Sequence, residues 1–402
     1  MLPENSSANH RLTVFHLVQP VEGGVARVVT DLVRAQVLEG IRAVVACPPG
    51  AGLTAALTGA GAEVHSWRAG RAPGAGLVAE TASAARLIRA SRPDVVHAHS
   101  SKAGLAARLA VRGRIPTVFQ PHAWSFEAVG GGTARLALAW ERYAARWAAR
   151  VLCVSEAERR AGEAAGIAAR WTVIRNGVDL REFRADGTHA PPVAPGPGPL
   201  VVCVGRLCRQ KGQDVLLRAW PEIVRARPDA RLVFVGDGPD REALARTAPP
   251  GVLFAGAVDG MRGWLRAADV VVLPSRWEGM ALAPLEAMAC GRPVVLSDVN
   301  GARESLPPGH DRYGLVPPDD PRALAGAVTK LLADPRLRDA LGRQAAAHAR
   351  ANFDVRDTAA AVSELYGRLL GPDRPVSAGP TGQDQGPVRG MHRSTTRERI
   401  SR

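Results

Sequence analysis

Short apolar runs alternate with amphipathic helical segments along this chain, and the alternation stops once and then restarts. Strand-like runs occupy Leu12–Val18, Ala43–Cys47, Ala62–Ser66, Asp94–His97, Thr117–Gln120, Val151–Val154 and Trp171–Ile174. Between them lie segments with apolar residues at helical spacing, such as Val25–Glu39 and Leu77–Ala90. Strand–helix–strand order repeated this often implies parallel strands with helices on both faces, a doubly wound sheet. From Asp186 to Pro199 the pattern gives way to Pro, Gly and Ala, a composition that reads as a linker. Strands then resume at Leu200–Val204, Arg231–Val235, Gly251–Phe254, Asp269–Leu273 and Pro293–Leu296. Two α/β domains are therefore expected, 1–185 and 200–352, joined by the linker 186–199. A helix over 353–370 is expected to pack back on the first domain, and 371–402, almost without apolar residues, to be disordered. Two such domains favour a ligand in the cleft between them, at the carboxyl ends of the strands.

Composition narrows the classes. The 402 residues are 46% hydrophobic and 22% charged, an ordinary globular balance. No apolar run approaches the length that spans a bilayer. Met1–Ser7 has neither the basic patch nor the apolar stretch of a secretory leader. Cys47, Cys153 and Cys203 lie in apolar runs that suit buried thiols, and the Cys203/Cys208 spacing matches no common zinc pattern. A soluble cytoplasmic protein is expected. The net charge of +14 favours anionic partners: nucleoside diphosphates, acidic lipid head groups or nucleic acid. The charge is diffuse and no nucleic-acid-binding module is recognisable, which places nucleic acid last.

Three loops carry candidate chemistry. Glu278-Gly-Met-Ala-Leu-Ala-Pro-Leu-Glu286 follows a strand and runs into a helix from Leu282. Its carboxylates lie on roughly one side, some 10–12 Å apart along the axis. That is too far for a glycosidase pair but suits the two ends of one long ligand, with the helix-start N–H groups free for a diphosphate. A capping Glu and a solvated Glu are the plain alternative. Val204-Gly-Arg206-Leu-Cys-Arg-Gln-Lys211-Gly212 sets two cations at the mouth of another strand–helix loop; Lys211 is one of three lysines in a chain that otherwise uses arginine. Gly23-Gly24, between the first strand and first helix, allows close backbone approach to a ligand but lacks the third glycine of a dinucleotide fingerprint. Val235-Gly-Asp-Gly238 has Arg241 where that fingerprint has glycine, so it too reads as a loop.

The histidines His97 and His99 share one face of an extended strand, as metal ligands can, yet no third ligand is evident and no metal site is expected. His122, just past the next strand, stands in a cleft-facing loop and is the better functional candidate; a loop-stabilising role is the alternative.

Taken together, these segments resemble glycosyltransferase family 4, the retaining enzymes of the GT-B fold, from about Thr13 to Leu370. Pro274 to Pro293 is similar to that family's Glu-x7-Glu signature; Arg206 and Lys211 match its phosphate-binding pair, and Gly23-Gly24 its glycine loop. Asp94–Ser100, Pro121-His122, Val154–Glu156 and Ile174–Asp179 also resemble family segments. The resemblance implies two Rossmann-like domains facing each other across a cleft. It implies that Glu286 holds the ribose of a nucleotide-sugar, that Glu278 contacts the transferred sugar, and that His122 lies near the reacting carbon. The backbone of Gly279, Met280, Ala281 and Leu282, with Arg206 and Lys211, would bind the pyrophosphate. No metal or other cofactor is implied beyond the nucleoside-diphosphate sugar as co-substrate.

The implied reaction is retaining transfer of a hexose-type sugar to a hydroxyl of a glycan or lipid-linked acceptor, in polysaccharide or glycoconjugate biosynthesis. A nucleotide-sugar epimerase of the same fold and a non-catalytic binding relative are the alternatives. The acceptor should dock on the first domain. A helix expected over Thr133–Ala149 is decorated by Arg135, Arg142, Arg146 and Arg150, with Trp140 and Trp147; it could lie on an anionic membrane at the inner face, or bury its tryptophans as an ordinary helix.

Overall fold

The computed structural model describes residues 11–71, 74–186, 198–258 and 260–371; the expected disordered tail falls outside these residues apart from Gly371, and so does most of the linker. The first sheet holds β1 (Thr13–Val18), β2 (Arg42–Cys47), β3 (Glu63–Ser66), β4 (Val95–His99), β5 (Thr117–Gln120), β6 (Arg150–Cys153) and β7 (Trp171–Val173). The second holds β8 (Leu200–Val204), β9 (Arg231–Val235), β10 (Leu253–Gly256), β11 (Val270–Leu273), β12 (Val294–Ser297) and β13 (Leu315–Val316). Their orders are β3-β2-β1-β4-β5-β6-β7 and β10-β9-β8-β11-β12-β13, and the strand pairs are parallel. Both orders reverse beside the first strand of the sheet, which opens a crevice at the carboxyl ends of β1 and β4 and of β8 and β11. All the candidate loops leave from these ends.

The fold is GT-B: two doubly wound, Rossmann-like sheets, with the loops at their carboxyl edges in mutual contact. Val201, Val202, Val271, Val272 and Val295 in the second sheet, and Val14, Phe15, Leu17, Val44, Val45 and Val96 in the first, are fully buried. Near-continuous β-branched runs of this kind belong to strands covered on both faces. Two elements differ from the sequence reading. The helix expected over Thr133–Ala149 covers Gly131–Ala144 and tightens into a 3-10 turn at Ala145–Trp147. The two-residue strand β13 is too short to leave a periodic signal. Among the described residues, no helix is long and apolar enough to cross a membrane.

The chain changes domain before the Pro/Gly-rich stretch begins, because Val178 and Phe183 already pack in the core of the second domain. It returns at Phe353–Val355, where Val178 N–H donates to the Phe353 carbonyl at 2.8 Å and Val355 N–H to the Val178 carbonyl at 3.2 Å. The helix Val355–Leu370 then packs Ala359, Val362, Leu365 and Tyr366 against Leu12, Val14, Leu32 and Val95 of the first domain. Gly177 is what lets the two crossings touch: a Cβ there would lie 2.5 Å from Val355 Cα. Gly177→Ala should therefore lower the melting temperature by about 5 °C through overpacking, measurable by scanning calorimetry.

Candidate active site

The second domain contributes two loops stitched together. Arg276 N–H donates to the Gln210 carbonyl at 2.8 Å, and Gln210 Nε2 to the Trp277 carbonyl at 3.0 Å. The Arg276 guanidinium bonds both Asp214 carboxylate oxygens at 2.8 and 2.7 Å, a paired geometry that fixes orientation. Gly212, at φ +64°, turns the β8 loop into its helix, and a Cβ there would lie 2.0 Å from the Pro274 carbonyl oxygen. The result is that Lys211 Nζ meets Glu278 Oε1 at 2.5 Å, with Glu278 buried. The two loops singled out in the sequence thus form one site.

Beside that pair the helix Leu282–Ala289 begins without any side-chain cap, its preceding residue Ala281 being extended. Its first N–H groups are open to an anion. Gly23-Gly24 begin the helix Gly23–Leu38, likewise uncapped, and a Cβ on either glycine would meet nothing within 4 Å. Arg206 lies near enough to Arg71, in the loop after β3, for their like charges to interact; partial desolvation and Arg206 hold the Arg71 guanidinium below its ordinary pKa. Opposed cations from two domains make a place for a multiply charged anion. Arg71 carries no motif and is invisible to spacing arguments.

Glu286 is also buried, and its carboxylate makes no hydrogen bond among the described residues. Its neighbours are Arg27, which is one turn past Gly23, and the acids Glu182 and Asp31. Burial lifts Glu286 to a pKa of about 7, with Arg27 opposing and the two acids adding to the rise. Burial works against the Arg27 charge as well, but Glu286, Glu182 and Asp31 outweigh it and hold that guanidinium above its usual value. A buried carboxylate with unused lone pairs suits a ligand that brings hydroxyls.

The facing wall is the turn at His122. His122 and Ala123 take φ of 57° and 119°, left-handed values that a side chain rarely adopts. Glu158 holds them: its fully buried carboxylate accepts from Ala123 N–H and Val154 N–H, each at 2.7 Å. Burial pushes Glu158 up to about 7 against those two bonds. Gly279 sits on this turn, since a Cβ there would lie 2.8 Å from Val154 Cγ2 and 2.9 Å from Glu158 Oε1. Ser155 Oγ donates to the Gly279 carbonyl at 2.9 Å, and Asn176 Nδ2 to the Met280 carbonyl at 2.7 Å. His122 keeps part of its surface open, and desolvation lowers its pKa to about 3, so it is a neutral imidazole.

The histidines contain a further departure from the sequence reading. His97 and His99 do have a third neighbour, His16, which the β1–β4 register sets opposite His97. One ring nitrogen from each of the three lies within 4.8 Å of the others, all buried.

The raised Glu286 pKa has a thermodynamic sign. Its folded value, about 7, lies above the ordinary 4.5, so the folded state binds that proton more tightly. The stability this adds is complete below pH 4.5 and is lost as pH rises through about 7. Glu286→Gln should therefore melt roughly 2–6 °C above the wild type at pH 8 and level with it near pH 4.5, as differential scanning fluorimetry across pH will show.

Residues 22–182 match the family described as Glycosyltransferase Family 4, and residues 198–334 the one described as Glycosyl transferases group 1. The chain is 36% identical over 217 residues to the lipopolysaccharide core biosynthesis mannosyltransferase LpcC of Rhizobium leguminosarum bv. viciae, covering 50% of this chain and 61% of that one. It is 31% identical to the glycogen synthase of Mycobacterium tuberculosis, covering 69% of each. The chain spans 43–61% of the length of seven other curated relatives that it matches. The structure of Anabaena Alr3699/HepE in complex with UDP and glucose superposes with a TM-score of 0.74 at 23% identity, covering 88% of this chain and 99% of that one. Sequence and fold agree, and the chain belongs to glycosyltransferase family 4.

Proposed function

We propose that this protein transfers a hexose-type sugar, with retention of anomeric configuration, from a nucleoside-diphosphate sugar to a hydroxyl of a glycan or lipid-linked acceptor. The reaction class is polysaccharide or glycoconjugate biosynthesis. The observation that carries the reading is the Lys211–Glu278 pair at 2.5 Å beside an uncapped helix N-terminus, with the His122 turn opposite. Loss of a nucleoside diphosphate puts negative charge on the leaving phosphate. Arg206, Lys211 and the N–H groups of Gly279, Met280, Ala281 and Leu282 are set to stabilise it, so that no metal or other cofactor takes part. Glu286 would accept from the ribose hydroxyls. Glu278, held by Lys211, would accept from hydroxyls of the sugar and stand near the positive charge that develops at its ring. Gly23-Gly24 would allow the first domain to approach the pyrophosphate. The acceptor hydroxyl would pass its proton to the departing phosphate oxygen.

The acceptor side belongs to the first domain. On the helix Gly131–Ala144 and the turn after it, Arg135, Leu136, Tyr143 and Arg146 are exposed while Trp140 and Trp147 are partly buried. Cationic and apolar side chains exposed together suit contact with an anionic lipid surface at the inner face of a membrane.

Two measurements test the reading. Nucleoside diphosphates and nucleotide-sugars, screened with EDTA present, should stabilise the protein for one base by about 2.7 kcal/mol at a hundred times the dissociation constant, read as a rise in melting temperature. Lys211→Ala and Glu286→Ala should each weaken that response at least tenfold in ligand concentration; a full panel without any shift would defeat the donor assignment. Liposomes rich in anionic lipid should carry the protein upward on flotation at low salt and release it as salt rises, whereas no co-flotation removes the membrane contact.

A further inference from the structure

Behind His122 a line of side chains runs through the first domain to the C-terminal helix. His122 Nε2 lies 3.3 Å from His99 Nδ1; His99 Nε2 lies 3.0 Å from His16 Nδ1; His16 Nε2 lies 2.8 Å from Gln36 Oε1. Gln36 Nε2 then donates to Tyr366 Oη at 3.4 Å, and Tyr366 Oη lies 2.6 Å from His97 Nδ1. His16, Gln36, His97, His99 and Tyr366 are each fully buried. Four of these five contacts involve a ring nitrogen, so once the Gln36 amide is oriented the bonding pattern assigns the protons.

The assignment starts at the far end. Gln36 Nε2 donates to Tyr366 Oη and its carbonyl faces His16, which leaves His97 Nδ1 to accept from the Tyr366 hydroxyl. A carbonyl only accepts, so His16 carries its proton on Nε2 and its Nδ1 is bare. His99 must then donate from Nε2, leaving its own Nδ1 bare, and His122 must donate to that nitrogen from Nε2. Desolvation disfavours a charged imidazole at His16, His97 and His99, which keeps the series neutral and its direction single.

We propose that His16, His99, Gln36 and Tyr366 form a hydrogen-bonded chain of positioning residues that fixes His122 as the Nε2–H tautomer and leaves His122 Nδ1 as a permanent hydrogen-bond acceptor. The value of this to catalysis rests on the reading that His122 meets the sugar; the chain itself does not. A neutral imidazole in water exchanges between two tautomers, whereas this one is presented with its accepting nitrogen already selected. An acceptor without an exchangeable proton suits a sugar hydroxyl and prevents His122 from donating to it from Nδ1. A metal held by His16, His97 and His99 would need one bare nitrogen on each ring, a demand that competes with the proton positions of the series.

Long-range 1H–15N correlation spectra of the histidine-labelled full-length protein read the tautomers directly. His122, His99 and His16 are expected each as Nε2–H with Nδ1 bare. Tyr366→Phe removes the group that orients Gln36, and should move the His122 resonances toward a mixture of tautomers. Its affinity for a nucleoside diphosphate should stay within twofold of the wild type, which separates lost positioning from general damage. Gln36→Leu, which removes the terminal acceptor, should give the same spectral change and serves if Tyr366→Phe does not fold. An Nδ1–H or doubly protonated His122 in the wild type, unchanged His122 signals in both variants, or one equivalent of zinc in the purified protein by mass spectrometry would each overturn the proposal. Failure of the wild type to bind any nucleoside diphosphate would strike the donor reading and leave the tautomer result standing.

Discussion

The carboxylate of Glu158 is the interaction on which the geometry of this cleft depends. It satisfies two backbone N–H groups that no strand partner reaches, at Ala123 and Val154. In doing so it holds two residues with side chains in left-handed conformations, each costing of order 1–3 kcal/mol. The same oxygen forms part of the floor on which Gly279 rests. One buried acid therefore sets the direction of His122, the approach of the Glu-x7-Glu loop and the closeness of the two domains. An alanine at 279 would collide with that floor, so the signature's glycine reads as a contact requirement rather than a flexible joint.

Electrostatics divide the cleft into two regions with opposite demands. Around Arg206 and Arg71 like charges meet near two uncapped helix starts, an arrangement that is relieved by an arriving anion. Around Glu286 a buried carboxylate faces other acids with Arg27 as the main compensation. Neither arrangement favours the empty protein. Both follow from building a binding surface before its ligand is present, and the cost falls on stability.

Much of this was legible in the sequence because it rests on local periodicity and on loops next to strands. Parallel strand order, the two cation and carboxylate loops, and the scarcity of lysine around Lys211 can all be read along the chain. What escaped depends on register and on closure. His16 carries no spacing relation to His97, and only the pairing of β1 with β4 sets them opposite each other. Tyr366 looks like an ordinary apolar-face residue of the last helix until that helix is laid against the first domain. Glu158 stands in Glu156-Ala-Glu158-Arg159, which reads as a solvated helix start, and nothing local reveals that it turns inward. Arg27 and Arg71 acquire meaning only once the second domain faces them.

The paired crossings at Val178 and Phe353–Val355 carry a mechanical consequence. The domains are joined by two adjacent peptide segments hydrogen-bonded to each other, so they share a single pivot, like a door hung on neighbouring pins. Rotation about that pivot remains available, while translation along the cleft would have to tear the segments apart. Because the second segment leads straight into the helix that carries Tyr366, the pivot and the inner end of the histidine line occupy one continuous piece of chain. The pivot and the inner end of the histidine line therefore share one support, the helix Val355–Leu370.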